Sequence, residues 1–175
     1  PGKKEHELRS AIAAGIVLNV ESDQEMELIA QLGEFLGITP KVAIRVNPDF
    51  ELKSSGMKMS GGSKPFGVDA ECVPDLLMRL RKLGLNFIGF HIFSGSQNLN
   101  AAAIQETHAK TFQLGIQLAD YAPSPVCLLN IGGGFGVPYF PGDKALDLAF
   151  IGENLRCLMP EVKRQLPDTR IAIEL

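Results

Sequence analysis

Two segments rich in glycine and hydroxyl residues are the part of this sequence best suited to chemistry. The segment "LNIGGGFG" at 129–136 ends an apolar run with three consecutive glycines and a fourth at Gly136. The segment "FSGSQN" at 93–98 follows the preceding apolar run. Glycine is tolerated in such places where backbone turns sharply or approaches another group closely. Backbone N–H groups of both segments, with the Ser96 hydroxyl, would suit an anion such as a phosphate.

Two alternatives would also account for the glycines. A tight strand-to-helix turn that binds no ligand would explain the first segment alone, whereas the second segment favours a shared anion site. A dinucleotide site is disfavoured, because "GGGFG" does not match the GxGxxG fingerprint in register. The sequence therefore predicts a phosphate site built from backbone, without a lysine.

Hydrophobic periodicity predicts helices and strands in strict alternation. The helix over 22–37 is the best marked, because Ser22 and Glu25 have the spacing of a capping box and Gly37 ends the pattern. The other predicted helices are 6–15, 69–84, 100–120 and 145–166. The predicted strands are 16–20, 41–47, 86–93, 125–131 and 170–175, with a long loop over 49–67. His108 falls on the core-facing stripe of its helix.

This alternation predicts an α/β fold with a parallel sheet, either a (β/α)8 barrel or a doubly wound sheet. All five predicted strands end in polar or glycine-rich residues: "NVES", "RVNPD", "SGSQN", "NIGGG" and Glu174. Convergence of many strand ends on one site is typical of a TIM-type barrel. Since a whole barrel has eight strands and about 250 residues, we expect a partial barrel with about five of the eight strands. We also expect both chain ends to lie inside a longer domain.

Composition points to a globular protein with a small-molecule ligand. The 175 residues are 45% hydrophobic and 21% charged, with a formal net charge of -3 and scattered basic residues. We therefore expect no nucleic-acid partner, and no apolar stretch is long enough to predict a membrane span. Cys72, Cys127 and Cys157 are widely spaced, which predicts reduced cysteines packed as small apolar groups in a cytoplasmic protein, with no metal site.

Several motifs together resemble a known family. In chain order they are "PGK", "NVES", "RVNP", "KPFGV", "GFHIFSGSQ", "LNIGGGFG" and the terminal "IEL". Their order resembles that of the fold-type III decarboxylases that use pyridoxal 5'-phosphate (PLP), the group of the diaminopimelate and ornithine decarboxylases. The resemblance covers essentially the whole chain and is nearer to the diaminopimelate branch. "HIFSGSQN" is similar to bacterial relatives associated with polysaccharide-export gene clusters.

The resemblance implies roles for particular residues. Gly132, Gly133 and Gly134 match the loop whose amides hold the PLP phosphate, and Ser96 matches a serine that hydrogen-bonds it. Glu174 matches the glutamate that faces the pyridine nitrogen of the cofactor, where a carboxylate keeps this nitrogen protonated. An ordinary solvated strand end is the alternative for Glu174, and the glycines of the neighbouring strand favour the functional role.

Four positions either depart from the family pattern or have a second explanation. The family's ring-stacking histidine aligns with Phe93, whose aromatic plane can stack but cannot carry a proton. His91 aligns with an earlier histidine of the diaminopimelate branch and ranks below Phe93, because a lone strand histidine is more often a core residue. Arg45 resembles an arginine near the cofactor's phenolic oxygen, and a simple ion pair explains it equally well. Leu175 stands where the family has proline.

The resemblance implies PLP-dependent decarboxylation of an amino acid or amino-acid-like substrate by a cytoplasmic homodimer. It places the lysine that binds PLP on the first barrel strand, before residue 1, so no catalytic residue is assigned within this chain and Lys64 matches only a loop position. It also implies a second, mostly β domain after residues 1–175. The alternatives are a non-catalytic PLP-binding or regulatory homologue and a sugar-phosphate barrel enzyme without PLP.

Overall fold

A computed structural model of the chain describes residues 2–50, 57–58 and 66–174, and at 57–58 only the backbone is considered. Most of the loop predicted over 49–67 lies outside these residues, as do Lys64 and Leu175. The helices are α1 (Glu5–Ala13), α2 (Asp23–Leu36), α3 (Val73–Lys82), α4 (Ala101–Ala119) and α5 (Leu148–Gln165). The strands are β1 (Leu18–Val20), β2 (Lys41–Asn47), β3 (Met57–Lys58), β4 (Val68–Asp69), β5 (Asn86–Ile92), β6 (Gly95–Ser96), β7 (Leu128–Asn130) and β8 (Arg170–Ala172).

Helix α2 shows why the sequence forms these elements where it does. The Ser22 hydroxyl accepts a hydrogen bond from the Glu25 amide at 3.1 Å, as an N-cap does. The Glu25 carboxylate in turn accepts from the amide of Glu21 at 2.9 Å, one residue earlier than in a standard capping box. At the other end Gly37 adopts a left-handed φ of 65°, which glycine accepts without steric cost. Both predicted ends of this helix are confirmed.

The main sheet is parallel and its strands follow one another in chain order, β1-β2-β5-β7-β8. The short strand β4 pairs with the end of β2 at Val46 and Asn47. A doubly wound sheet reverses its strand order at a switch point, and this path has no reversal. Because parallel crossovers are right-handed, strands added in one direction carry their helices on one face. The arrangement is that of a barrel wall, which confirms the predicted partial barrel.

The core lies between this sheet and its helices. It contains the inner faces of α1, α2 and α3 and the buried strand residues: Leu8, Ile12, Met26, Ile29, Leu77, Leu80, Val42, Ile44, Phe90 and Leu129. A second, smaller cluster joins α4 to α5 through Ala103, Ile104 and Ile151, and Phe135 of the glycine segment packs against it. Phe135 thus anchors the glycine segment to the helices α4 and α5. None of the helices within the described ranges is long and apolar enough to cross a bilayer.

The predicted packing of the cysteines is wrong. All three are free thiols, as expected, but Cys72, Cys127 and Cys157 are exposed to solvent. Cys127 shows the reason, because it lies just before β7, which begins at Leu128, and outside the packed part of the strand.

Candidate active site

Polar side chains on, or just after, the strands β1, β2, β5, β7 and β8 share one face at the carboxyl edge of the main sheet. The register pairs Asn19 with Ala43, Arg45 with His91, and His91 with Asn130, which pairs with Ala172. Paired residues of parallel strands point to the same face, and residues two apart along a strand do so as well. This rule places the following residues on one face: Asn19, Glu21, Arg45, His91, Asn130 and Glu174. The convergence of strand ends predicted from the sequence is therefore present.

The glycines allow close contacts between backbones. Gly132 has a left-handed φ of 71° and Gly134 one of 89°. A Cβ built on Gly133 would lie 2.1 Å from the carbonyl oxygen of Glu174, and one on Gly132 would lie 3.0 Å from the Phe93 ring. The close approach required of the glycines is thus partly to neighbouring protein, which the sequence alone could not distinguish from an approach to a phosphate.

The amides of this segment divide into two groups. The Gly132 amide donates to Asn130 Oδ1 at 2.9 Å, and the Gly136 amide donates to the Asn98 carbonyl at 2.8 Å. Between them, the amides of Gly133 and Gly134 have no acceptor in the described ranges. Neither of these two glycines is fully buried. Two adjacent N–H groups are therefore available to an anion, as a backbone phosphate site requires.

The segment that contains Ser96 is fastened to the glycine segment. The Asn98 amide donates to the Gly134 carbonyl at 2.9 Å. The Gln97 side chain donates to the Val137 carbonyl at 2.6 Å and accepts from the Val137 amide at 3.2 Å. Ser96 itself is half-buried in β6, directly before these contacts. The two segments singled out in the sequence are thus neighbours in space.

Glu174 presents one occupied and one open carboxylate oxygen. Its Oε1 accepts a hydrogen bond from Asn130 Nδ2 at 3.0 Å and lies 3.1 Å from His91 Nε2. No residue in the described ranges contacts Oε2 through a hydrogen bond or ion pair. The Glu174 amide also donates to the Gly132 carbonyl at 2.8 Å, which ties this carboxylate to the glycine segment.

Arg45 lies between acidic and aromatic groups. Its guanidinium is 3.6 Å from Glu21 Oε1, which Lys3 also approaches at 3.5 Å. It lies 5.7 Å from the centre of the Phe93 ring and 5.1 Å from that of Phe66, both within cation–π range. The ion pair expected as one explanation for Arg45 is present, and the residue also faces the ring that aligns with the family's stacking histidine.

His91 is buried at 7% exposure and a polar group lies near each ring nitrogen, but Nε2 makes no hydrogen bond within the described ranges. Nδ1 lies 3.3 Å from Asn19 Nδ2, and Nε2 faces Glu174. Burial lowers the pKa of His91; the Glu174 carboxylate opposes this, the Arg45 guanidinium adds to it, and the Glu21 carboxylate opposes it. The net pKa lies below the ordinary value for histidine, so the neutral ring is favoured at neutral pH. His91 is therefore buried like a core residue, as expected, but its neighbours are polar groups of the candidate site.

Asn19 and Asn130 are members of this site that the sequence patterns did not single out. Their signal was available, because each lies two residues before a strand-end residue of the site, Asn19 before Glu21 and Asn130 before Gly132. The same spacing separates His91 from Phe93. In a parallel barrel, residues at this spacing share the inner face.

The whole chain matches one known protein family. All of residues 1–175 match the pyridoxal binding domain of the pyridoxal-dependent decarboxylases. The chain belongs to this family. It is 37% identical over 177 residues to the L-glutamyl-(BtrI acyl-carrier protein) decarboxylase of Niallia circulans, with 99% of this chain and 41% of the relative covered. It is 33% identical to the diaminopimelate decarboxylase of Aquifex aeolicus, with 94% and 40% covered.

Solved structures of decarboxylases share the fold. The diaminopimelate decarboxylase of Helicobacter pylori complexed with L-lysine superposes with a TM-score of 0.79 at 25% identity, covering 99% of this chain and 43% of that one. The M. jannaschii enzyme in co-complex with L-lysine gives 0.80 at 26% identity, covering 98% and 41%. The chain thus spans about two fifths of the length of the curated relatives it matches.

The residues present fit the cofactor of this family. PLP carries a phosphate dianion at one end and a ring nitrogen that binds a proton. The open amides of Gly133 and Gly134 suit the first, and the open Oε2 of Glu174 suits the second. Within the described ranges no group of three or more His, Cys, Asp or Glu side chains is arranged to hold a metal ion.

Proposed function

We propose that this chain is the cofactor-binding part of an enzyme that decarboxylates an amino acid or an amino-acid-like substrate with PLP. The observation that carries the proposal is the open Oε2 of Glu174 beside a glycine segment with two open amides. When bound, PLP supplies a sink for the electron pair left behind when a carboxylate departs as CO2. The relative from Niallia circulans is named for a substrate attached to a carrier protein, so the amino-acid-like class includes carrier-bound amino acids.

In this proposal, the chain's residues bind and orient the cofactor. Gly132, Gly133 and Gly134 form the phosphate loop with Ser96 beside it. Glu174 receives the ring N–H and keeps that proton in place, since a carboxylate favours the protonated nitrogen.

The remaining proposed contacts concern the ring face and the phenolic oxygen. Phe93 provides the flat face for the ring, because His91 is buried and its Nδ1 contacts Asn19. Arg45 packs over Phe93, and in this proposal it would face the phenolic oxygen.

We further propose that the protein is cytoplasmic and forms a homodimer, with a lysine that binds PLP before residue 1 and a mostly β domain after residue 175. Three exposed apolar residues after the glycine segment support the proposal that another domain or subunit packs against this surface. Val137, Tyr139 and Phe140 are 55%, 72% and 76% exposed. Apolar groups in a continuous exposed stretch are typical of surfaces that another part of a protein covers. Light scattering on the full-length protein measures the oligomeric state, and a monomer would contradict the dimer.

The decisive test is the intact mass of the full-length protein after borohydride reduction, with CO2 release measured on candidate amino acids. A pyridoxyl-phosphate adduct together with CO2 release supports the proposal. An adduct with no CO2 release from free or carrier-bound amino acids would favour the non-catalytic homologue, whose one supporting observation is Phe93 in place of a histidine. Binding of sugar phosphates without any adduct would favour a barrel enzyme that does not use PLP.

A further inference from the structure

Three side chains from non-adjacent strands form a continuous chain of polar contacts at the centre of the site. Asn19 projects from β1, His91 from β5 and Glu174 follows β8. Asn19 Nδ2 lies 3.3 Å from His91 Nδ1, and His91 Nε2 lies 3.1 Å from Glu174 Oε1. Asn19 and His91 meet over β2, where the residue opposite Asn19 is the small Ala43. The short side chain of Ala43 leaves room for this contact.

The first contact determines which nitrogen of His91 carries the proton. An amide NH2 group is only a donor, so Nδ1 must accept from Asn19 and be unprotonated. In a neutral imidazole the proton then resides on Nε2, the nitrogen that faces Glu174. His91 Nε2 lies 3.1 Å from Oε1 without the alignment of a hydrogen bond, so the contact between Nε2–H and the carboxylate is electrostatic.

The second contact determines which oxygen of Glu174 is open. Asn130 Nδ2 and His91 Nε2 both approach Oε1, from two different strands. The hydrogen bond from Asn130 orients the carboxylate, and His91 Nε2, which is not aligned as a hydrogen bond, adds a close electrostatic contact on the same oxygen. Both contacts fall on Oε1, and Oε2 has no contact in the described ranges. A side chain that is half exposed would otherwise rotate among several orientations.

The charge of His91 matters as much as its position. The charged groups that face it are Glu174, Glu21 and Arg45. A neutral ring presents its Nε2–H group without cancelling the charge of Glu174. A protonated ring would compete with the cofactor's ring N–H for that carboxylate, which would weaken its hold on the nitrogen proton.

We propose that Asn19 and His91 are positioning residues for Glu174: Asn19 holds His91 as the neutral Nε2–H tautomer, and His91 orients Glu174 so that Oε2 is left for the ring nitrogen. This inference rests on the proposed function in assigning Oε2 to the cofactor. The tautomer and the orientation are properties of the protein's own residues.

The test uses long-range 1H–15N spectra of the full-length protein with 15N-labelled histidine, with PLP removed and with PLP bound. The His91 signal is assigned as the one that disappears in His91→Gln. We expect the Nε2–H tautomer at neutral pH in both forms. A Nδ1–H tautomer or a doubly protonated ring in the wild-type protein would overturn the inference.

Asn19→Asp is the most informative variant, because it replaces the amide donor that faces His91 Nδ1 by a carboxylate acceptor of the same size. We expect His91 to become doubly protonated and the decarboxylation rate to fall by about 10-fold or more, equivalent to roughly 1.4 kcal/mol of activation free energy. Asn86→Asp adds the same charge at an exposed position of β5 and serves as the control. An unchanged His91 signal in Asn19→Asp would overturn the inference.

Failure of the inference and failure of the proposed function are distinguishable. If the protein holds no PLP, the proposed function fails, whatever tautomer His91 shows. If it holds PLP while His91 shows Nδ1–H, the proposed function stands and the positioning role is wrong.

Discussion

Gly133 lies so close to Glu174 that a Cβ on Gly133 would fall 2.1 Å from the Glu174 carbonyl oxygen. The neighbouring Gly132 carbonyl accepts the Glu174 amide hydrogen at 2.8 Å. The end of β8 is therefore packed against the glycine segment backbone to backbone. In the proposed site, this contact sets the position of the carboxylate relative to the phosphate loop.

Gly133→Ala tests this contact. The added methyl group must displace backbone, so we expect a loss of roughly 1–3 kcal/mol in the free energy of unfolding, as in overpacked cores. We also expect weaker PLP retention after dialysis. Denaturant unfolding and the cofactor absorbance of the full-length protein measure the two effects. Gly152→Ala is the control, because Gly152 lies in α5 and a Cβ added there would meet nothing within 4 Å. There we expect a gain of about 0.5–1 kcal/mol, and equal effects of the two changes would contradict the argument.

Glu174→Gln tests the role assigned to the carboxylate. The amide keeps the size of the side chain but cannot hold the ring nitrogen in its protonated form, so the electron sink is weakened. We expect kcat to fall at least about 100-fold, equivalent to roughly 2.7 kcal/mol of activation free energy. PLP content should change little, since the phosphate contacts remain. Glu34→Gln removes a charge from an exposed position of α2 and should leave kcat unchanged. A Glu174→Gln enzyme with wild-type kcat would refute the assignment.

His108 predicts a pH dependence of stability. It is 2% exposed on α4, neither ring nitrogen has a partner in the described ranges, and its ring lies edge-on to Phe135 of the glycine segment at 6.3 Å. Burial lowers the pKa of His108 to about 4 from the ordinary 6.5. Between these pH values the unfolded chain binds more protons than the folded one, so stability falls as the pH falls.

The expected contribution of His108 is fully present above pH 6.5 and is lost progressively on acidification to pH 4, for a total of about 3 kcal/mol. His108→Phe keeps the aromatic packing and removes the titration, so the variant should lose less stability than the wild type over this range. Denaturant unfolding at several pH values measures the difference. His6→Gln, at an exposed position, should leave the profile unchanged. Parallel profiles for wild type and His108→Phe would show that His108 makes no such contribution.

Substitutions of Gln97 can separate the effect of its two hydrogen bonds on PLP release from the effect of its backbone conformation on stability. It has a left-handed φ of 53° and its side chain makes both hydrogen bonds to Val137. Gln97→Gly removes those bonds and relieves the backbone, whereas Gln97→Ala removes them and keeps the backbone cost of about 1 kcal/mol. We expect both variants to release PLP several-fold faster than wild type, with Gln97→Ala the less stable of the two. Release measured by dialysis and thermal unfolding distinguish the effects, and unchanged release in both would exclude a role for these two hydrogen bonds.

The elements with local signals were predictable from the sequence. The sequence predicts the ends of β2 at 41–47 and the structure has them there, because the β-rich run is stopped by Pro48. The predicted strand over 125–131 is shorter in the structure, at Leu128–Asn130. Its first residues are apolar like the rest, and only the pairing with β5, which begins at Gly89 and Leu128, decides where the strand starts. Such pairing depends on tertiary contacts that a local pattern does not contain.

The site was predictable in its location and less so in its contacts. Polar strand ends located the candidate site, and the family resemblance gave the cofactor proposed to bind there. The contacts of His91 with Asn19 and Glu174 join residues that are 72 and 83 positions apart in the sequence. The strands β3, β4 and β6 have only two residues each, too short for any periodicity to mark.

Asn130 contributes both of its side-chain polar atoms to the site, Oδ1 to the Gly132 amide and Nδ2 to Glu174. One short, rigid group therefore joins the place assigned to the phosphate with the place assigned to the ring nitrogen. Both contacts are made within the protein, so they bring the two places into a set spacing before any ligand arrives. Such a site selects by length as well as by charge. Pyridoxal without its phosphate, or an analogue with a longer linker between ring and phosphate, would make contacts at only one of these two places.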